Sequence, residues 1–302
     1  MFSIRAGFIS LRSIILFLLF GFWLHAADSC TLPSSIRSLA TALPSSRLSD
    51  YPDLRRNRRT LGGLCIYTVR FDEGPLAWEL LLLFDPKRRK GPFWFIPHDN
   101  ENSAFDAGVW AVARYGGGLL SVVAGSKRYF HGQDPNRNFG TDSESARRCP
   151  GQKAPAPRYT GTIFRIIDSF RGNYPYLALH NNADGYRNKG GSGTISMLRS
   201  TPRSQAYPAT RISSLHGGLQ DEDSMVYIAG LSRKAPRNKL HRLKSAGLNV
   251  KYEWVDPQHN DCSMSNYVLL YRHTDRYYNI ETETGATSTQ REMIRRLLKL
   301  PL

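Results

Sequence analysis

From Gly63 onward, short apolar runs recur along the chain at 65–69, 80–84, 93–96, 119–124, 174–179, 226–229, 250–255, 267–271 and 277–280. Runs of four to six residues dominated by apolar side chains read as strands, and those at 80–84, 93–96, 226–229 and 267–271 are apolar throughout, as strands buried on both faces are. Between them the apolar positions fall three and four apart at 103–115, 160–170, 238–246 and 288–299, which predicts helices. Strands alternating with helices predict an α/β fold, a mixed central β-sheet flanked by helices. Two polar stretches, 141–158 and 183–218, predict long loops, and they flank His180. Residues 28–60, rich in serine, proline and arginine, read as an extended amino-terminal arm ahead of a single domain at 61–302.

Four polar motifs stand at the ends of these runs. I-P-H-D-N-E carries His98 and Glu101, D-P-N-R-N-F covers 134–139, L-A-L-H-N-N ends in His180 to Asn182, and Y-N-I-E-T-E-T-G covers 278–285. A catalytic zinc takes three protein ligands and keeps one position open, and two histidines with one glutamate form such a set. His98 and Glu101, two residues apart in H-x-x-E, can be aimed at one ion by a single turn of backbone, and His180 at a strand end supplies a third donor. The carboxyl ends of strands in open α/β sheets are where such sites assemble. Taken singly, each motif has a plainer role: Arg137 in a turn-rich D-P-N-R-N, or Glu281 and Glu283 alternating with threonines on an edge strand.

In this order the motifs resemble the zinc metallocarboxypeptidases, over residues 90–290. The resemblance implies a zinc-carboxypeptidase-like fold with one zinc ion on His98, Glu101 and His180. It implies that Asn136 and Arg137 grip the substrate's terminal carboxylate and that Glu281 is the general base. Glu281 and Glu283 share a strand face, so periodicity does not separate them, and Glu283 is the fallback. Arg128 matches the oxyanion arginine weakly, and Tyr227 and Tyr267 are both open as the tyrosine that covers the substrate. The segment between Glu101 and His180 is shorter than in digestive carboxypeptidases, which implies a compact, divergent member.

The amino terminus changes the setting of this chemistry. Arg5 and Arg12 precede an apolar stretch at 14–24, and Ala26 and Ala27 close it, the layout of a secretory signal peptide over residues 1–27. An uncleaved anchor is the rival, but the stretch is short for a span of about 20 residues, so no membrane span is expected after processing. Asp28 and Ser29 before Cys30 fit a lipoprotein signal poorly. Four cysteines in an exported chain, Cys30, Cys65, Cys149 and Cys262, favour two disulfides in one of three connectivities. A Cys30 to Cys65 bridge would pin the amino-terminal arm, and a bridge at Cys262 would fix the loop D-C-S-M-S-N.

The formal charge is +16; without residues 1–27, which hold two arginines and no acid, 39 basic against 25 acidic residues leave +14. Basic runs stand at 55–59 and 87–90. For an exported protein this favours a polyanionic cell-surface polymer over nucleic acid as the partner. The expected function is a zinc-dependent carboxypeptidase-like hydrolase, periplasmic or secreted, acting on peptides and favouring peptidoglycan stem peptides. The rivals are a zinc deacylase of the succinylglutamate desuccinylase or aspartoacylase type and a non-catalytic cell-wall or polyanion binder.

Overall fold

The computed structural model describes residues 30–185, 194–213 and 217–302; the expected leader at 1–27 lies outside them. The strands are β1 (Ala40–Ala42), β2 (Cys65–Glu73), β3 (Leu76–Phe84), β4 (Phe93–Ile96), β5 (Gly118–Val122), β6 (Tyr176–Asn182), β7 (Ser204–Tyr207), β8 (Met225–Gly230), β9 (Val250–Trp254) and β10 (Tyr277–Glu283). The α-helices are α1 (Pro52–Arg56), α2 (Asn102–Tyr115), α3 (Ser143–Arg148), α4 (Pro157–Phe170), α5 (Arg237–Ser245), α6 (Met264–Tyr271) and α7 (Thr287–Leu297). The strands form one mixed sheet in the order β1-β2-β3-β5-β4-β6-β10-β8-β9-β7. Its centre, β5-β4-β6-β10, is parallel, and antiparallel pairs flank it on both sides.

Strand parity explains why the apolar runs are continuous. Leu81, Leu83, Trp94, Ile96, Leu177, Leu179, Tyr278 and Ile280 pack on one face, under Phe105, Val109 and Val112 of α2 and Met293, Ile294 and Leu297 of α7. Their neighbours Leu80, Leu82, Phe84, Phe93, Phe95, Tyr176, Ala178 and Tyr277 pack on the other, under Ile163, Ile166, Ile167 and Phe170 of α4 and Val268 of α6. Each such aliphatic or aromatic side chain, once buried, contributes about 1.5–3 kcal/mol, so both helical layers are held to the sheet by the same strands. The return from α2 to the sheet depends on Gly117, at φ +73°, where a Cβ would lie 1.9 Å from the Pro92 carbonyl oxygen. That close approach sets β5 beside β4.

Four sequence expectations change. Residues 267–271, expected as a strand, belong to α6: the Ser263 hydroxyl accepts the Asn266 amide and caps the helix, and a five-residue apolar run cannot by itself declare its period. The segment expected as an extended arm is described from Cys30 onward, where it carries β1 paired with β2 and the short α1, with Ile36 and Leu54 fully buried. The expected loop at 141–158 contains α3, opened by a capping box between Asp142 and Ser145, and the loop at 183–218 contains β7. Disulfides join Cys30 to Cys65 and Cys149 to Cys262. Among the described residues no helix is long and apolar enough to cross a membrane.

Candidate metal centre

The parallel centre of the sheet sends β4 and β6 in the same direction, so the turn after β4 and the end of β6 meet above one sheet edge. The turn after β4 is pinned twice. Asp99 accepts the Ala124 and Ser126 amides, each at 2.7 Å, and the Glu101 amide bonds back to the His98 carbonyl at 3.2 Å, which places both side chains on one side of the turn. Glu101 also opens α2, its carbonyl accepting from Ala104 and Phe105.

A buried polar strap then holds β6 against this turn. The Asn181 side chain accepts the Ala104 amide at 2.8 Å and the Ser103 hydroxyl at 3.1 Å, and donates to the Thr282 hydroxyl of β10 at 3.2 Å. Gln290 of α7 donates to the His180 carbonyl at 2.9 Å. With Asn181 committed to the α2 and α7 side, His180 faces the opposite side of the sheet by strand alternation.

His98, Glu101 and His180, all buried, bring one donor atom each to within 4.8 Å of one another. His98 Nδ1 stands 2.6 Å from Glu101 Oε1, and His180 Nδ1 stands 3.1 Å from Glu101 Oε2. Glu101 Oε2 has no hydrogen bond of good geometry although it is buried. A buried carboxylate flanked by one imidazole nitrogen at each oxygen, with Oε2 lacking a well-formed hydrogen bond, fits a metal ion, and a set of two imidazoles and one carboxylate suits a divalent transition metal. Burial opposes ionisation of Glu101, but the two histidines hold its carboxyl well below the usual carboxylate range. Burial likewise opposes protonation of His98, and Glu101 and Asp134 outweigh it, so its pKa is raised.

Asp134 was not anticipated in this role. Its Oδ1 lies 2.8 Å from His98 Nε2, which fixes the ring and leaves Nδ1 directed at Glu101, the carboxylate–histidine arrangement found behind metal ligands. Only the fold brings residues 98 and 134 together; the sequence signal was limited to the first position of D-P-N-R-N, where Asp134 caps a short 3-10 turn by accepting the Asn136 amide. Loss of such a partner costs roughly 10- to 100-fold in metal affinity. Asp134→Asn is therefore expected to weaken metal binding by about that factor, measured by competition with a chromogenic chelator; unchanged affinity would remove Asp134 from the site.

The remaining predicted residues, Glu283 and Tyr267 excepted, line one cavity of about 640 Å³ together with these. Glu281 is the register partner of His180 across the parallel β6–β10 pair, accepts from Asn279 Nδ2 at 2.9 Å, and has its pKa raised by burial. Glu283 pairs with Asn182 and is not among the cavity-lining residues. Arg128 reaches Glu101 at 3.3 Å and Asp134 at 3.4 Å. Asn136 lies 3.4 Å from His180 Nε2, its Oδ1 accepting the Met264 amide, and Arg137 donates to the Asn136 carbonyl and lies 3.3 Å from Asp261. Of the two tyrosines weighed as a cover, Tyr227 lines the cavity, whereas Tyr267 packs at a tilt against Phe164 and stacks on Tyr271, and is not among the cavity-lining residues.

No family model and no curated protein matches the sequence. Among solved structures the chain is similar to a protein of Shewanella denitrificans, provisionally identified as a metallopeptidase. The match has 12% identity and a TM-score of 0.41 over 89% of this chain and 96% of that one. So remote a likeness carries no functional argument, and the chemistry rests on the site itself.

Proposed function

We propose that the protein is an exported zinc-dependent hydrolase of carboxypeptidase type, cleaving an amide bond next to a terminal carboxylate. The observation that carries this reading is that a half-buried acid, Glu281, and an arginine fork, Arg137, share one cavity with the His98, Glu101 and His180 group. Zinc held by those three residues would supply a water of lowered pKa and polarise the scissile carbonyl. Glu281, whose carboxyl burial keeps above the ordinary glutamate range, takes a proton from water and passes it to the leaving amine. Arg137 offers two parallel donors to a carboxylate, and Asn136 sits beside it. Arg128, at the cavity wall, donates to the carbonyl oxygen as charge develops there.

The favoured substrate is a peptidoglycan stem peptide. A cationic exported protein concentrates at anionic wall polymers, and the two disulfides fit an oxidising compartment. The test uses zinc-loaded protein lacking residues 1–27 and short peptides with free or amidated carboxyl ends. Amidation is expected to lower kcat/KM by about 10²-fold, since it removes a buried charge contact. Arg137→Lys is expected to narrow that difference, because an ammonium lacks the planar fork. Equal cleavage of free and amidated peptides would overturn the exopeptidase reading, and release of acid from N-acyl amino acids without peptide cleavage would replace it with a deacylase.

A further inference from the structure

The cavity contains more negative charge than this chemistry uses. Glu253 on β9 accepts from the Ser265 hydroxyl at 3.0 Å, and Asp261, in the loop before α6, lies 3.3 Å from Arg137 Nε. Both carboxylates line the cavity, and both act electrostatically on Arg137. The Asp261 loop is held in place: its neighbour Cys262 is bonded to Cys149, the Cys262 carbonyl accepts the Phe139 amide at 3.1 Å, and Asp261 Oδ1 accepts the Ser263 amide at 2.9 Å.

Arg137 is set against both acids. Arg137 is the cation that acts on Glu253, while Lys251, two residues before Glu253, directs its ammonium to the carbonyls of Ser196 and Arg199. Burial and Asp261 push the Glu253 carboxyl up to about 7, as happens where two acids share one site. In the same cavity wall Asn279, nine-tenths buried, has a side-chain oxygen with no hydrogen-bond donor. A substrate carboxylate arriving at Arg137 would bring a further negative group to a guanidinium on which Asp261, Asp134 and Glu253 already act.

We propose that the residue released by the enzyme carries a side-chain amino group, its ammonium received by Glu253 and Asp261 while its carboxylate is held by Arg137 and Asn136. The inference rests on the carboxypeptidase reading and names the substrate class for it: peptides ending in a basic or diamino acid. An ammonium supplies three donors and the missing charge, and it lets Arg137 pass from Asp261 to the substrate without leaving Asp261 unpaired.

The test compares peptides identical except for a terminal lysine or norleucine, in L and D forms, with the zinc-loaded protein. Lysine is expected to exceed norleucine by at least about 10-fold in kcat/KM, chiefly through KM, because a site built around a polar group rejects the analogue lacking it. In Glu253→Gln the ratio is expected to fall towards 1; if that variant does not fold, the wild-type ratio decides alone. Norleucine cleaved as well as lysine overturns the proposal. If no peptide is cleaved, the carboxypeptidase reading fails separately, and calorimetry of free lysine against norleucine decides the pocket: tighter lysine upholds it and equal binding overturns it.

Discussion

Glu281→Gln is expected to retain one zinc per chain and to lose about 10²- to 10⁴-fold in kcat, the range a positioned general base provides. The substitution is nearly isosteric. The glutamine side chain would keep a carbonyl oxygen for the Asn279 amide, which donates to Glu281 Oε1 at 2.9 Å, and β10 would keep its register against His180. The metal-binding group on β6 and in the turn after β4 is untouched, so what is lost is the capacity to accept a proton. Single-turnover rates on the best peptide, paired with zinc content by inductively coupled plasma mass spectrometry, separate the two quantities. Glu283→Gln provides the contrast, because Glu283 pairs with Asn182 and its charge is felt by Asp221 rather than at the metal group. Glu281→Gln within 10-fold of wild type, with Glu283→Gln impaired, would move the base to Glu283 and detach it from the His180 register.

The fold was legible where the apolar pattern is driven by burial on both faces of the sheet. The runs at 80–84, 93–96 and 277–280 coincide with strands because neighbouring residues such as Phe93 and Trp94 fill opposite cores. It was illegible where that drive is absent. β1 and β7, the two edge strands, are half exposed and bury no continuous apolar run, and the short run within α6 obeys its Ser263 cap rather than its β-prone tyrosines. The site divides in the same way. His98, Glu101 and His180 carry chemistry in their residue types and stand beside strand ends. Asp134, Asn181 and Glu253 act through tertiary neighbours 36, 77 and 12 positions away, at His98, Ala104 and Ser265. No local pattern marks such residues, although Glu253 stands two positions from Lys251 on a strand where alternation would put both on one face.

The largest expected change is in metal content. Wild-type protein purified without chelator is expected to hold about one zinc per chain, the occupancy of a three-ligand catalytic site, and His98→Ala and His180→Ala none. Removing either ring takes away a donor and also weakens what offsets the burial of Glu101: a carboxylate 4% exposed, now held ionised by two histidines, would keep only one of them. Breaking a buried charge pair costs about 3–5 kcal/mol, so the alanine variants should also unfold at lower temperature even without metal. His180→Gln keeps a polar side chain of similar size beside Glu101 and distinguishes ligand loss from general collapse. In wild type, zinc at about a thousand times its dissociation constant should add roughly 4 kcal/mol by mass action, visible as a higher melting temperature. The same addition should leave the His180→Gln melting curve nearly unmoved. If wild type instead holds no zinc and takes none up on titration, the buried triad is a structural hydrogen-bonded cluster. The basic surface would then be the functional feature, and a wall-polymer binding protein becomes the account that the charge supports.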